Sequence, residues 1–191
     1  EQNLYQTIIK MAQEFPGSNN IPLLFRDGAF GTRLSNGMDA ASPRYIFTKM
    51  ETLTPLLFRP EDDVLLENVI DDGDVVEPKF YVPILPMILI NGCVGIGTGW
   101  SSSIPCFNPL DIIECVKIWL KTNGKIYDVV EDEETKAKMT LSLLPPLKPF
   151  FRGFDGTIEK ISETSFVSFG VISKEKNKVN VTEIPIGMSI D

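Results

Sequence analysis

The sequence of 191 residues contains no histidine. It therefore lacks the usual general base of neutral-pH chemistry and the commonest metal ligand. Cysteine is scarce. Cys93, Cys106 and Cys115 form an odd set with no Cys-x-x-Cys pair, so a structural zinc site is not expected, and reduced thiols of an intracellular protein are. Long apolar runs are missing too. The longest, VPILPMILI from Val82, is broken by prolines and falls well short of the roughly 20 residues a membrane span needs. Neither a spanning segment nor a signal peptide is expected. Positive charge is in deficit, with 18 Lys and Arg against 26 Asp and Glu and a net charge of −8. Such a balance argues against a simple nucleic-acid binder, because neutralising phosphates takes Lys and Arg.

What is present modifies that picture. With 43% hydrophobic residues the chain can bury a core and hold one or two domains. Its first residue is not Met, and residues 1–15 read as a helix in mid-domain, so a piece cut from a longer chain is expected. The acidity is local: EDD at 61–63, DDGD at 71–74 and EDEE at 131–134 read as solvated faces or turns. Between residues 20 and 50, Arg26, Arg33, Arg44 and Lys49 face only Asp27 and Asp39, and the stretch is basic.

Residues 1–15 predict an amphipathic helix, with Leu4, Ile8, Ala12 and Phe15 on one side and Met11 beside them. Asn3, Gln6, Thr7, Lys10 and Gln13 line the other side, an amide-rich surface that suits a nucleic-acid groove as well as it suits water. Pro16 and Gly17 end the helix. Short extended pieces follow, IPLLF, GAFGTRL and YIFTKM, separated by turns. A helix followed by a small turn-rich β element is the layout of a winged helix. Leu53–Phe58 and Val64–Ile70 are expected as short helices closing that unit, with a domain boundary near Glu77. In the second half, Asn108 can cap and Pro109 open a helix over 109–122, ended by Gly124. GTIEKI, SFVSFGVIS and KVNVTEIPI alternate as strands do, with SKEKNK as a hairpin turn.

Three groups of residues are candidates for chemistry. The glycine-rich NGCVGIGTGW follows the strand-like MILI, but Trp100 stands where a phosphate loop needs Lys-Ser/Thr, and SSSIPCFNP cannot open a helix promptly. A nucleotide site is therefore not expected. The small neighbours instead hold Ile96 out on a surface, either as core or as a wedge between base pairs. Asp62/Asp63 and Asp71/Asp72 are adjacent pairs whose side chains diverge, which argues against a shared metal ion. The third group is Arg44-Tyr45 in DAASPRYIFTKM. A tyrosine hydroxyl, with an ordinary pKa near 10, lies about 4 kcal/mol from ionised at pH 7. A neighbouring guanidinium favours the phenolate and holds the extra charge of a phosphoryl transition state through paired N–H donors. An aryl phosphodiester retains its energy, so the reaction such a pair serves is reversible strand breakage. From spacing alone, a buried tyrosine beside a surface arginine remains an open reading.

GSNN at 17–20, GAFGTRL at 28–34, DAASPRYIF at 39–47, EPKFYVPILPMILING at 77–92 and GIGTGWS at 95–101 occur in this order, and FDGTIEKI follows later. Together they resemble the breakage-reunion core of type IIA DNA topoisomerases, in texture the eukaryotic branch, DNA topoisomerase II, including enzymes of large DNA viruses. The resemblance implies an α+β chain. A winged-helix domain carrying the catalytic tyrosine would occupy 1–76, and part of a mixed α/β tower domain 77–191. It implies Tyr45 as the nucleophile joined to the 5′ phosphate, Arg44 as transition-state stabiliser and Ile96 as the residue that intercalates and bends DNA. Arg33, Lys10 and Asn19 would contact DNA, and no metal ligand would lie in the chain. Mg²⁺ and ATP would bind elsewhere in the full-length enzyme, which acts on double-stranded DNA as a homodimer, in the nucleus if cellular, or in host cytoplasm or virion if viral. This segment alone would be inactive. Ala29 departs from the larger polar residue often found there, and 124–148 reads as an exposed insertion. The rival readings are a non-catalytic winged-helix DNA-bending module and a nucleotide-dependent enzyme.

Overall fold

The computed structural model of the chain describes residues 1–122 and 144–190. Gly124 as a helix end, the EDEE run and nearly all of the expected insertion lie outside the described residues. Helix α1 spans Gln2–Ala12 and ends where Gln13 turns extended, at φ −66° and ψ 139°. Only its second half is covered. Ile9 and Ala12 pack on Phe30, with Leu24, Ala40 and Ile46 at the margin of this small core. The buried side is thus rotated from the one expected: Leu4 is exposed, Ile9 rather than Ile8 faces inward, and Gln13 is buried. The partners set this orientation, because Phe30, with Leu24, Ala40 and Ile46 around it, lies over Ile9 and Ala12.

The extended pieces after α1 meet only at isolated antiparallel bridges, Leu24 with Met50 and Asp27 with Phe47. GAFGTRL runs as loop and turn rather than strand. A 3₁₀ turn forms over Pro43–Tyr45, helix α2 over Thr54–Leu57 and a second 3₁₀ segment over Pro60–Leu65. The helix expected over Val64–Ile70 is replaced: Asn68–Asp71 is strand β1, paired with β2, Asp74–Pro78, in a hairpin that runs through the expected boundary at 76/77.

MILI, expected as strand, is instead the one-turn helix α3, Met87–Ile90, which follows Pro86 and packs against α4. A proline at the helix start costs no hydrogen bond there and presets the backbone. Strands β3, Cys93–Gly97, and β4, Trp100–Ile104, form the next hairpin. Helix α4 covers Pro109–Lys121, with the Asn108 side chain accepting from the Leu110 N–H as the sequence predicts. Strands β5 (Thr157–Ser162) with β6 (Ser165–Phe169), and β7 (Val171–Glu175) with β8 (Lys178–Glu183), complete the chain. SFVSFGVIS is therefore two strands. All four sheets are two-stranded antiparallel hairpins, so the described residues form a mixed α/β fold. Among them no helix is long and apolar enough to cross a membrane.

Two asparagines stitch the halves together. Buried Asn20 donates through Nδ2 to the carbonyls of Ile90, Phe107 and Phe150 at 2.9–3.0 Å and accepts from the Arg152 N–H at 2.8 Å. Asn91 mimics a strand partner for Ile21, accepting its N–H at 2.9 Å and donating to its carbonyl at 2.8 Å. These bonds satisfy buried carbonyls that no sheet reaches. Around them lie the buried Ile90, Cys106 and Ile112.

Candidate functional site

Tyr45 closes the 3₁₀ turn that Pro43 opens, and its N–H donates to the Ser42 carbonyl at 2.9 Å. Proline fixes φ at the first turn position, Ser42 is extended before it, and Ile46 returns to the core. The turn is therefore held from both sides while its own side chains point out, and Tyr45 is 70% exposed. The alternative of a buried tyrosine is excluded. The Arg44 guanidinium lies over the Tyr45 ring, 5.5 Å from its centroid, and its Nε makes only a long 3.5 Å contact with the Ser42 hydroxyl. No carboxylate among the described residues pairs with Arg44, which leaves its donors available to an anion.

Arg44, Ser42 and Pro43 share an open cleft with Gln2, Asn3, Tyr5 and Gln6 of α1. The amide-bearing side of the helix and the cation beside Tyr45 thus border one space. Lys10 is exposed on the same helix. Asn19 is engaged within the fold, donating through Nδ2 to the carbonyls of Lys10 and Gln13 at 2.6 and 2.8 Å, where it caps the end of α1.

Arg33 also has internal partners. Its guanidinium donates to the carbonyls of Met188, Ile184 and Pro185 at 2.8–2.9 Å and stands 3.7 Å from Glu183, with the side chain 15% exposed. The other cations of the basic stretch are occupied as well: Arg26 pairs with Glu14, and Lys49 lies over the Phe25 ring. Arg44 and Lys49 are the cations of that stretch with no carboxylate partner among the described residues, and each lies over an aromatic ring.

Ile96 sits away from this turn, on the hairpin β3–β4. The two strands close through Gly97 and Trp100 around a two-residue turn, and Ile96 lies opposite Ser101. It is 92% exposed. Val94, opposite Ser103, shares its face, because cross-strand partners and alternate residues point the same way. Trp100 stands on the other face and is 86% exposed. It is not among the residues expected to meet DNA, though a tryptophan in so small-residued a ribbon is a signal in itself. The reading of Ile96 as core is excluded.

Asp39 and Cys106 have their proton affinity shifted by their surroundings. The Asp39 carboxylate accepts from the Thr32 N–H and hydroxyl at 2.7 and 2.8 Å, bonds that hold it below the ordinary carboxylate value. Burial pushes the Cys106 thiol up to about 11. Among the described residues no three His, Cys, Asp or Glu side chains converge where they could hold a metal ion. The glycine run is a hairpin and opens no helix, so it offers no phosphate cradle of the nucleotide-binding kind. The chemistry that this site's own side chains can supply is that of tyrosine and arginine.

Residues 1–191 match the family model for the DNA gyrase/topoisomerase IV A-subunit. Probable DNA topoisomerase 2 of Dictyostelium discoideum is 45% identical over 193 residues, which is 98% of this chain and 11% of the relative. DNA topoisomerase 2 of Invertebrate iridescent virus 6 is 46% identical, over 100% of this chain and 16% of the relative, and that of Saccharomyces cerevisiae 46% identical, over 97% and 12%. The chain thus spans between 11% and 16% of the length of these relatives. The crystal structure of the Plasmodium falciparum topoisomerase II DNA-binding, cleavage and re-ligation domain superposes with a TM-score of 0.84 at 39% identity, covering 99% of this chain and 23% of that one. The resemblance to type II topoisomerases of eukaryotes and large DNA viruses holds over the whole length, and the chain belongs to the DNA gyrase/topoisomerase IV A-subunit family.

Proposed function

We propose that the chain is the strand-cleaving segment of an ATP-dependent type II DNA topoisomerase. The Tyr45 Oη attacks a backbone phosphorus of double-stranded DNA; the P–O bond to the 3′ oxygen breaks, and a 5′-phosphotyrosyl link forms. The tyrosine loses its proton, the departing 3′ oxygen gains one, and attack by that hydroxyl restores both the strand and the tyrosine. Arg44 holds the charge gained by the phosphoryl oxygens, with its planar fork of donors matching two of them. The observation that carries this reading is the exposed Arg44-Tyr45 turn, with Arg44 on the cleft bordered by Gln2, Asn3 and Gln6.

Ile96 serves as the wedge that bends the cut duplex, and its exposure on a ribbon with small neighbours supports that role. Residues 1–76 form the winged-helix part and 77–191 part of the tower. In the whole protein two copies act together, each tyrosine cutting one strand, with Mg²⁺ and ATP bound by other segments. Relatives from yeast and an iridescent virus support a nuclear or a viral setting.

The test is Tyr45→Phe in the full-length protein. Covalent protein–DNA adducts on a denaturing gel vanish while DNA binding persists. Adducts that survive refute the assignment; if the parent protein forms none, the chain is a non-catalytic bending module.

A further inference from the structure

The turn that carries Arg44 and Tyr45 follows directly on a neck of two chain segments, 28–32 running out and 37–41 returning, joined where the Ala41 N–H donates to the Ala29 carbonyl at 2.9 Å. Beyond that bond, toward the turn at 33–36, the side chain of Gln13 enters from the end of α1. Gln13 is 7% exposed, and its Nε2 donates to the Phe30 carbonyl at 2.8 Å and to the Gly37 carbonyl at 3.2 Å, one on each segment. The fit leaves no slack: a Cβ at Gly37 would lie 2.5 Å from Nε2, and the residue has φ +81°, so only glycine lets the returning segment come this close. Gln13 is itself fixed, since its N–H donates to the Lys10 carbonyl and its carbonyl accepts from the Asn19 side chain at 2.8 Å.

We infer that Gln13 is the positioning residue that sets Tyr45 against the DNA held along α1, acting through the neck and touching neither DNA nor the reacting atoms. The inference rests on the proposed strand-cleaving role. Its physical basis is that Gln2, Asn3 and Gln6 border the cleft at one end of α1 while Gln13 grips the neck at the other. The amide thereby converts a contact made by the helix into a register for the nucleophile. A buried amide that has lost its place leaves two carbonyls without partners, and the neck shifts to find others. Misplacing a reacting group by about 1 Å costs up to a hundredfold in rate.

The experiment uses the full-length protein and measures single-turnover adduct formation on a nicked duplex, with Tyr45→Phe alongside. Gln13→Met keeps the length and removes the donors. The rate at saturating DNA is expected to fall roughly tenfold to a hundredfold, while the DNA concentration giving half the maximal rate stays within about twofold of the parent. Gly37→Ala attacks the same contact from the neck and is expected to lower the saturated rate likewise. In the Gln13→Ala background the added methyl finds vacated space, so the two losses combine to less than their product. Thermal unfolding of each variant reports the folded fraction at the assay temperature. Saturated rates that track only that fraction overturn the inference, as does a loss confined to DNA affinity or a strictly multiplicative pair. Adducts that persist in Tyr45→Phe overturn the strand-cleaving role itself, which separates the two failures.

Discussion

The guanidinium of Arg44 lies over the ring of Tyr45, 5.5 Å from its centroid, so the cation rests on the π face and not on the hydroxyl. Packed this way it shields the ring while the Arg44 side chain borders the cleft. Each donor that meets a developing phosphoryl charge is worth a few kcal/mol.

Arg44→Ala is therefore expected to lower the rate of adduct formation by about 10²–10³ at saturating DNA, with affinity changed little. Arg44→Lys does not restore it, because an ammonium lacks the planar fork and stacks less well on the ring. The check is single-turnover cleavage in the full-length protein. A lysine variant as fast as the parent would reduce Arg44 to a point charge.

Removing Ile96 tests the second element of the site. Ile96→Ala is expected to diminish bending of a straight duplex, followed by resonance energy transfer between end labels, while leaving affinity for a pre-bent duplex unchanged. Val94→Ala, on the same face but farther from the tip, has the smaller effect. Equal losses on straight and pre-bent DNA would make Ile96 an ordinary contact.

How far these features can be read from the residues depends on whether the deciding partner is local. Helix α4 is legible because Asn108 and Pro109 sit at its own start, and the β7–β8 hairpin because SKEKNK is its own turn. The hairpin β1–β2 carries a local signal of a different kind: Asp72 and Gly73 both adopt positive φ, at 48° and 93°, which is the pattern of a tight hairpin turn. Taken as an acidic run, DDGD hides that turn and leaves Val64–Ile70 looking helical. Gln13 and Asn20 are not legible at all. Their roles come from carbonyls tens of residues away, and a polar residue at a helix end resembles one facing water. Tyr45 and Ile96 can be named because exposure there follows from adjacent proline and glycine.

Arg33 gives a case where residue type and position point different ways. Its three carbonyl partners and Glu183 tie the turn over 33–38 to the segment 183–188. Arg33→Ala is expected to cost about 2–4 kcal/mol in equilibrium denaturation. The slope of log affinity for DNA against log salt should not change. A slope reduced by about one would mean that Arg33 neutralises a phosphate.

Cys106 supplies a pH dependence whose sign can be worked out. Its Sγ is buried, donates toward the Asn91 carbonyl at 3.1 Å, and has its pKa raised from 9.0 to about 11 by burial. Between those values the unfolded chain releases the thiol proton while the folded chain keeps it. The native state binds more protons there, so stability falls as pH rises from 9 to 11. Other groups titrate in this range, which makes the difference between parent and Cys106→Ala the quantity to measure. The parent loses its advantage over the variant across that window in urea denaturation, whereas a constant difference would show that the thiol ionises alike in both states. Exposed Cys93 provides an internal control, since iodoacetamide at a pH of about 8 should alkylate it in the folded protein and spare Cys106 until the chain unfolds.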